Sequence, residues 1–157
     1  MSTDTFEGGC ACGEIRFRME DKPLIVHCCH CHWCQRETGA SFALNAMIEA
    51  DRVTILQGKP EKVVTPTNSG KGQTIWRCPV CQVAVWSHYS DAQDKLSFVR
   101  VGTLDEAGRL PPNMHIFTSS KQPWIVIPDE QPVFEEYYDL KQVWSAENLA
   151  RLERAFE

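Results

Sequence analysis

Seven cysteines in three tight groups constrain this chain more than any other feature. Cys10-Ala11-Cys12 comes first, Cys29-His30-Cys31-His32-Trp33-Cys34 follows, and Cys78-Pro79-Val80-Cys81 closes the set. An eighth cysteine, Cys28, adjoins the middle group. In an oxidising compartment such a pattern would read as a disulfide framework. Here the start of the chain, Met1-Ser2-Thr3-Asp4-Thr5, has neither the basic nor the apolar region of a secretory signal. No apolar run reaches the length that crosses a bilayer. The expected setting is therefore a reducing cytosol, with no membrane partner, where clustered cysteines are metal ligands or reactive thiols.

Composition supports an ordinary globular chain that does not need disulfide staples. Its 157 residues are 43% hydrophobic and 24% charged, enough to bury a core. The length fits one domain over residues 1–157. The formal charge of −5 argues against a nucleic-acid partner, which requires a basic surface.

Short alternating segments bounded by turn residues predict a mainly β fold. Strands are expected at 14–19, 24–26, 47–48, 53–56, 62–65, 73–77, 83–87, 96–101 and 124–127. Residues 1–7 read as a loose tail and 8–13 as a glycine-rich turn. The small residues of 38–46 read as a stretch that lets backbone approach a site. One helix is expected, over about 146–156. Ser145 would cap it, Glu147 would sit in its first turn, and Leu149, Leu152 and Phe156 would form its apolar stripe.

The first and last cysteine pairs each sit at a strand end. Cys10, Cys12, Cys78 and Cys81 together supply four thiolates, a tetrahedral and coordinatively full zinc site that clips distant parts of the chain. A redox dithiol at Cys78 and Cys81 is the rival reading. A redox pair usually opens a helix, whereas Val83-Ala84-Val85-Trp86 looks extended. Gln82 stands where such a metal-binding turn commonly has glycine.

The middle group differs. In an extended segment residues two apart share a face, so Cys29 and Cys31 point together while Cys28 and His30 point away. A turn through His32 and Trp33 returns Cys34 to the first two. Three thiolates with a vacant fourth position describe a reactive zinc site, and a second metal held less firmly. Such a centre is a poor generator of hydroxide but a good place to deprotonate a fourth thiol. Cys28 reads as a small buried apolar residue, with a fourth metal ligand as the alternative, and His30 and His32 as support for the loop, with metal binding as theirs.

These residues resemble the glutathione-dependent formaldehyde-activating enzyme family, also called the CENP-V/GFA domain. The resemblance rests on Gly8-Gly9-Cys10-Ala11-Cys12-Gly13-Glu14-Ile15-Arg16-Phe17, on Cys29 to Arg36 with Thr38-Gly39-Ala40, and on Cys78 with Cys81. It continues through Val101-Gly102-Thr103-Leu104-Asp105, His115-Ile116 and Ser120-Lys121-Gln122-Pro123-Trp124. It spans about residues 8–134. It implies a β-tent fold of several antiparallel sheets clipped by zinc, two zinc ions per chain on the two cysteine sets, and carbon–sulfur lyase chemistry. The founding reaction joins glutathione to formaldehyde, giving S-(hydroxymethyl)glutathione. Gln82 and Gln35 depart from the usual glycine and basic residue of the family, and neither is a ligand.

Glutathione carries two carboxylates, so a pocket for it needs cationic partners. Arg36 and Lys121 are the expected contacts, and His115 is expected to be structural. The leading expectation is an enzyme joining a small thiol reversibly to an aldehyde or related electrophile through Cys29, Cys31 and Cys34. The alternative is a non-catalytic zinc module that binds another protein.

Overall fold

Strand-forming runs of β-branched and aromatic residues build two layers over a shared core. The computed structural model describes residues 4–157. Among them ten strands form, in chain order β1 (Phe6–Gly9), β2 (Arg16–Met19), β3 (Ile25–Cys29), β4 (Ala43–Glu49) and β5 (Val53–Gln57). The second half supplies β6 (Glu61–Thr65), β7 (Gln73–Arg77), β8 (Ala84–Tyr89), β9 (Leu96–Arg100) and β10 (Met114–Ile116). A three-stranded sheet has the order β1-β2-β5, and a seven-stranded sheet has the order β10-β3-β4-β9-β8-β7-β6. All pairings are antiparallel except β10 with β3. The mainly β expectation holds. Among the described residues no helix is long and apolar enough to cross a membrane.

Pairing fixes which side chains share a face, because residues directly opposite one another point the same way. Val26, Ala46, Ile48 and Val99 of the large sheet meet Phe6, Ile15, Phe17 and Met19 from the small-sheet side in one buried cluster. Burying each such side chain contributes about 1.5–3 kcal/mol, so this interface is the main source of cohesion. The opposite face of the large sheet carries His27, Cys29, Asn45, Met47, Phe98 and Arg100. That face is polar where it meets the cysteines and apolar farther along, where the C-terminal helix docks.

Several local expectations need correction. Residues 6–9 are strand β1 rather than tail, because they pair with β2. Residues 1–3 of that expected tail lie outside the described residues. Gly9 is required there, since a Cβ would lie 2.1 Å from the Ile15 carbonyl oxygen. Residues 43–46, read as a site-facing stretch, belong to β4, whose small side chains fit between β3 and β9. Residues 124–127 form no strand: they find no partner edge, and Trp124 and Val126 stay exposed.

Three α-helices form among the described residues, not one. The unexpected pair is α1 (His32–Thr38) and the single turn α2 (Leu140–Val143). The expected one is α3 (Ala146–Ala155), capped by the Ser145 hydroxyl, which accepts from Asn148 N at 3.1 Å. Leu149 and Leu152 pack against Leu24, Met47, Leu96 and Trp144 as the stripe requires. Phe156 does not join them, because the helix ends one residue earlier and leaves it exposed.

The residue that secures α3 is instead polar. Arg151 donates to Glu49 from Nε at 2.8 Å and from Nη2 at 2.7 Å, and both side chains are buried. Burial pushes the Glu49 carboxyl upward, but the double hydrogen bond from Arg151 outweighs it and holds it below its ordinary 4.5. A depressed carboxyl contributes stability that is present above its unfolded value and disappears as pH falls through the folded one. Arg151→Met is therefore expected to cost about 3 kcal/mol at neutral pH, because it removes both hydrogen bonds from a buried carboxylate and leaves it only the longer contact to Arg52 at 3.7 Å. Urea midpoints of the two proteins should converge only as pH falls through the lowered wild-type value, where Glu49 becomes neutral in both.

Candidate metal centres

Two turns bring the first and last cysteine pairs together. The β1–β2 turn places Cys10, whose N donates to Ile15 O at 3.2 Å while Ile15 N points back at Cys10 Sγ at 3.3 Å. The β7–β8 turn wraps Cys78 in the same way. Val80 N and Cys81 N lie 3.3 and 3.5 Å from Cys78 Sγ, and Gln82 N donates to Cys78 O at 3.0 Å. Gln82 has φ of 65°, the left-handed conformation for which glycine is the unstrained choice. The turn keeps its geometry without that glycine, and the chain leaves it as strand β8 rather than a helix.

The four sulfurs of Cys10, Cys12, Cys78 and Cys81 lie within 4.8 Å of one another. Cys10 to Cys12 is 3.6 Å and Cys12 to Cys78 is 3.7 Å. A tetrahedral tetrathiolate site has sulfur–sulfur edges of about 3.8 Å, whereas a disulfide is about 2.05 Å. The arrangement fits a metal ion and not a cross-link, and all eight cysteines are free. The Val83 backbone N–H helps hold the Cys81 thiol down to about 6.

The second group is assembled by β3 and α1. Cys29 ends β3 and Cys31 caps α1, with its sulfur accepting from Cys34 N at 3.4 Å. Gly39, at φ of 67°, terminates the helix, its N–H donating to Gln35 O. The return to Cys34 is thus a turn of helix rather than the simple bend expected. Cys29, Cys31 and Cys34 lie within 4.8 Å of one another with no fourth cysteine, histidine or carboxylate in their group among the described residues. Contacts from Cys29 and Cys34, together with helix-start N–H groups, pull the Cys31 thiol far down. Cys29 is pushed up by those same contacts and by burial. At Cys34 the pull of Cys29 is overcome by Cys31 and burial, which lift it to about 12.

A third cluster lies on the other side of the same strand end. Cys28, His30 and His115 are all buried, with ligand atoms within 4.8 Å of one another. The parallel β3–β10 pairing sets His115 directly beside Cys28. Cys28 Sγ is 3.5 Å from His30 Nε2, and His30 Nε2 is 2.9 Å from His115 Nδ1. His115 Nε2 in turn donates to Gln131 Oε1 at 2.5 Å. That chain leaves His115 Nδ1 as the acceptor and His30 Nε2–H as the donor. The three groups also have the donor types of a metal site, the alternative held open for Cys28 and His30, with His115 as the member not foreseen.

Arg36 is exposed on α1. Lys121 gives its ammonium to Gln122 O at 3.1 Å and Ile125 O at 2.8 Å. Trp33 and His32 are exposed at the start of α1. Gln35 ties the helix down through Nε2 to His30 O at 2.7 Å and Ser120 O at 3.0 Å.

A cavity of about 490 Å³ lies beside α1 and β4, next to the elements that carry the second cysteine group, and none of the three cysteines lines it. Glu37 and Thr38, one turn beyond Cys34, form part of its wall, as does Ala43, the cross-strand partner of Cys29. Arg77 and Arg100 also line it. Sequence reasoning missed both arginines as site residues. Each ends a strand, and nothing local marks it as facing a cysteine cluster.

Fold and clusters together define a metal-associated β protein of one known family. The chain belongs to the glutathione-dependent formaldehyde-activating enzyme family, whose model matches residues 5–120. A Halomonas elongata protein, provisionally named a glutathione-dependent formaldehyde-activating enzyme, is 25% identical over 126 residues, 77% of this chain and 80% of its own. A crystal structure of a Rhodobacter sphaeroides protein matches with a TM-score of 0.48 at 14% identity, covering 82% of this chain and 98% of that one.

Proposed function

We propose that this protein is a zinc-dependent carbon–sulfur lyase of the cytoplasm that joins a small thiol such as glutathione to formaldehyde or a related aldehyde, reversibly. The reading rests on one contrast: four cysteines converge in one cluster and three in the other. The first set is coordinatively full and holds the fold, while the second leaves a position for an external ligand. Zinc held by Cys29, Cys31 and Cys34 would, when bound, supply a seat where an incoming thiol gives up its proton.

The chain's own residues account for the remainder. Helix α1 aims backbone N–H groups at Cys31 and steadies its negative charge. Tyr89 and Tyr137 are close enough to the cysteines for burial and thiolate charge to push both hydroxyls above their ordinary range. In the reaction the substrate S–H bond breaks, a sulfur–carbon bond forms at the aldehyde carbon, and the proton ends on the aldehyde oxygen. No oxidant or reductant is needed.

Cobalt-substituted protein titrated with glutathione tests the reading. A change in the thiolate-to-cobalt absorption that saturates supports it, because an external sulfur has joined the open group. An unchanged spectrum removes the vacant-position mechanism.

A further inference from the structure

A guanidinium stripped of water and left without a carboxylate is expensive to keep in a folded protein. Arg100 is in that state. It is 9% exposed, and its Nη1 donates to Asn45 Oδ1 at 2.6 Å, a neutral acceptor. Among the described residues no carboxylate pairs with it, in contrast to the buried Arg151, which has Glu49. Arg100 nevertheless faces the 490 Å³ cavity, a volume suited to a small ligand.

The cavity's other charges cancel. Arg77 pairs with Glu37 and also donates from Nη1 to Gln82 O at 3.0 Å. One positive charge therefore remains on the wall, which it shares with Thr38, whose hydroxyl donates to Cys34 O at 2.7 Å. Arg100 and Asn45 share one face of the large sheet with Cys29, so the guanidinium lies on the side of the open cysteine group.

We infer that Arg100 is the carboxylate anchor of the thiol substrate, holding an anionic group in this cavity while the substrate sulfur reaches the Cys29/Cys31/Cys34 group. The inference rests on the thiol-binding reading above. It replaces Arg36 and Lys121 as the expected charge contact with a residue whose fork is preformed and already desolvated. A planar guanidinium suits a carboxylate because two parallel N–H groups meet two oxygens. Asn45, its direct cross-strand partner, fixes one edge of the fork and leaves its other donors for the ligand.

The test uses S-methylglutathione, which retains both carboxylates but has no free thiol, and its diethyl ester, which also lacks the carboxylates' charge. Calorimetric titration into the metal-loaded protein should show the acid binding about 10–100-fold more tightly than the ester, the range for a charge-assisted pair. Arg100→Gln should erase most of that preference while its metal content stays that of the wild type. The wild-type comparison stands even where the variant folds poorly. Equal binding of acid and ester by the wild type, no binding of either, or a preference that survives in a folded Arg100→Gln protein would each overturn the assignment. A variant that loses metal but keeps the preference would assign Arg100 to charge balance of the thiolates instead. Because the probe has no thiol, an unchanged cobalt spectrum with glutathione beside an Arg100-dependent acid preference would sink the vacant-position mechanism and leave this site standing.

Discussion

Cys12→Ser is expected to destabilise the protein by at least about 3 kcal/mol, although Cys12 is exposed. A surface substitution that touches nothing special costs about 0.5 kcal/mol or less. Cys12 has no core packing to lose, so a large loss isolates its role as a fourth thiolate. Structural zinc contributes on the order of 10 kcal/mol in small metal-binding peptides, comparable with the whole net stability of a domain. The geometry explains why the effect is global: the cluster joins the β1–β2 turn to the β7–β8 turn, 66 residues apart in the chain. Urea unfolding with and without a strong chelator checks it. Chelation should lower the wild-type midpoint at least to that of the variant and shift the variant, which keeps only the Cys29/Cys31/Cys34 group, much less. Equal midpoints for both proteins without chelator would mean that the four sulfurs hold no metal.

Cys31→Ser is expected to keep the fold and lose turnover by at least about a hundredfold, on the scale seen when a metal site is disturbed. The substitution is clean for a local reason. Cys31 is the N-cap of α1, and serine is among the preferred caps, so the helix should form as before. What disappears is the thiolate that gathers the negative charge of the cluster. Thiol–aldehyde adduct formation, followed directly, separates the enzyme from a non-catalytic scaffold. A scaffold would show the same negligible rate in both proteins, and an enzyme would show a rate only in the wild type.

The cysteine arithmetic was readable because thiol spacing and strand alternation are both local. Cys29 and Cys31 on one face with Cys28 and His30 on the other follows from a period of two, and the end of β3 has that form. Helix α1 was not readable. It is seven residues long, buries none of them, and is capped by a cysteine, so it shows neither an apolar stripe nor an ordinary cap residue. Strand β10 is three residues long, and its parallel pairing with β3 is a tertiary event. That pairing alone brings His115 to Cys28 and His30. The run at 124–127 shows the converse, since β-rich composition is insufficient without an edge to pair with. Arg100 was read only as part of the strand expected at 96–101. Its meaning depends on Asn45, 55 residues away, and on a cavity wall assembled from five separate segments.

The measurement that bears most directly on the whole account is metal content per chain by native mass spectrometry, for the wild type and for Cys31→Ser. Two zinc ions on the wild type and one on the variant is the predicted result, with all eight thiols recovered after denaturation in chelator. A wild-type protein with no bound metal, or with its cysteines oxidised to one another, would contradict it.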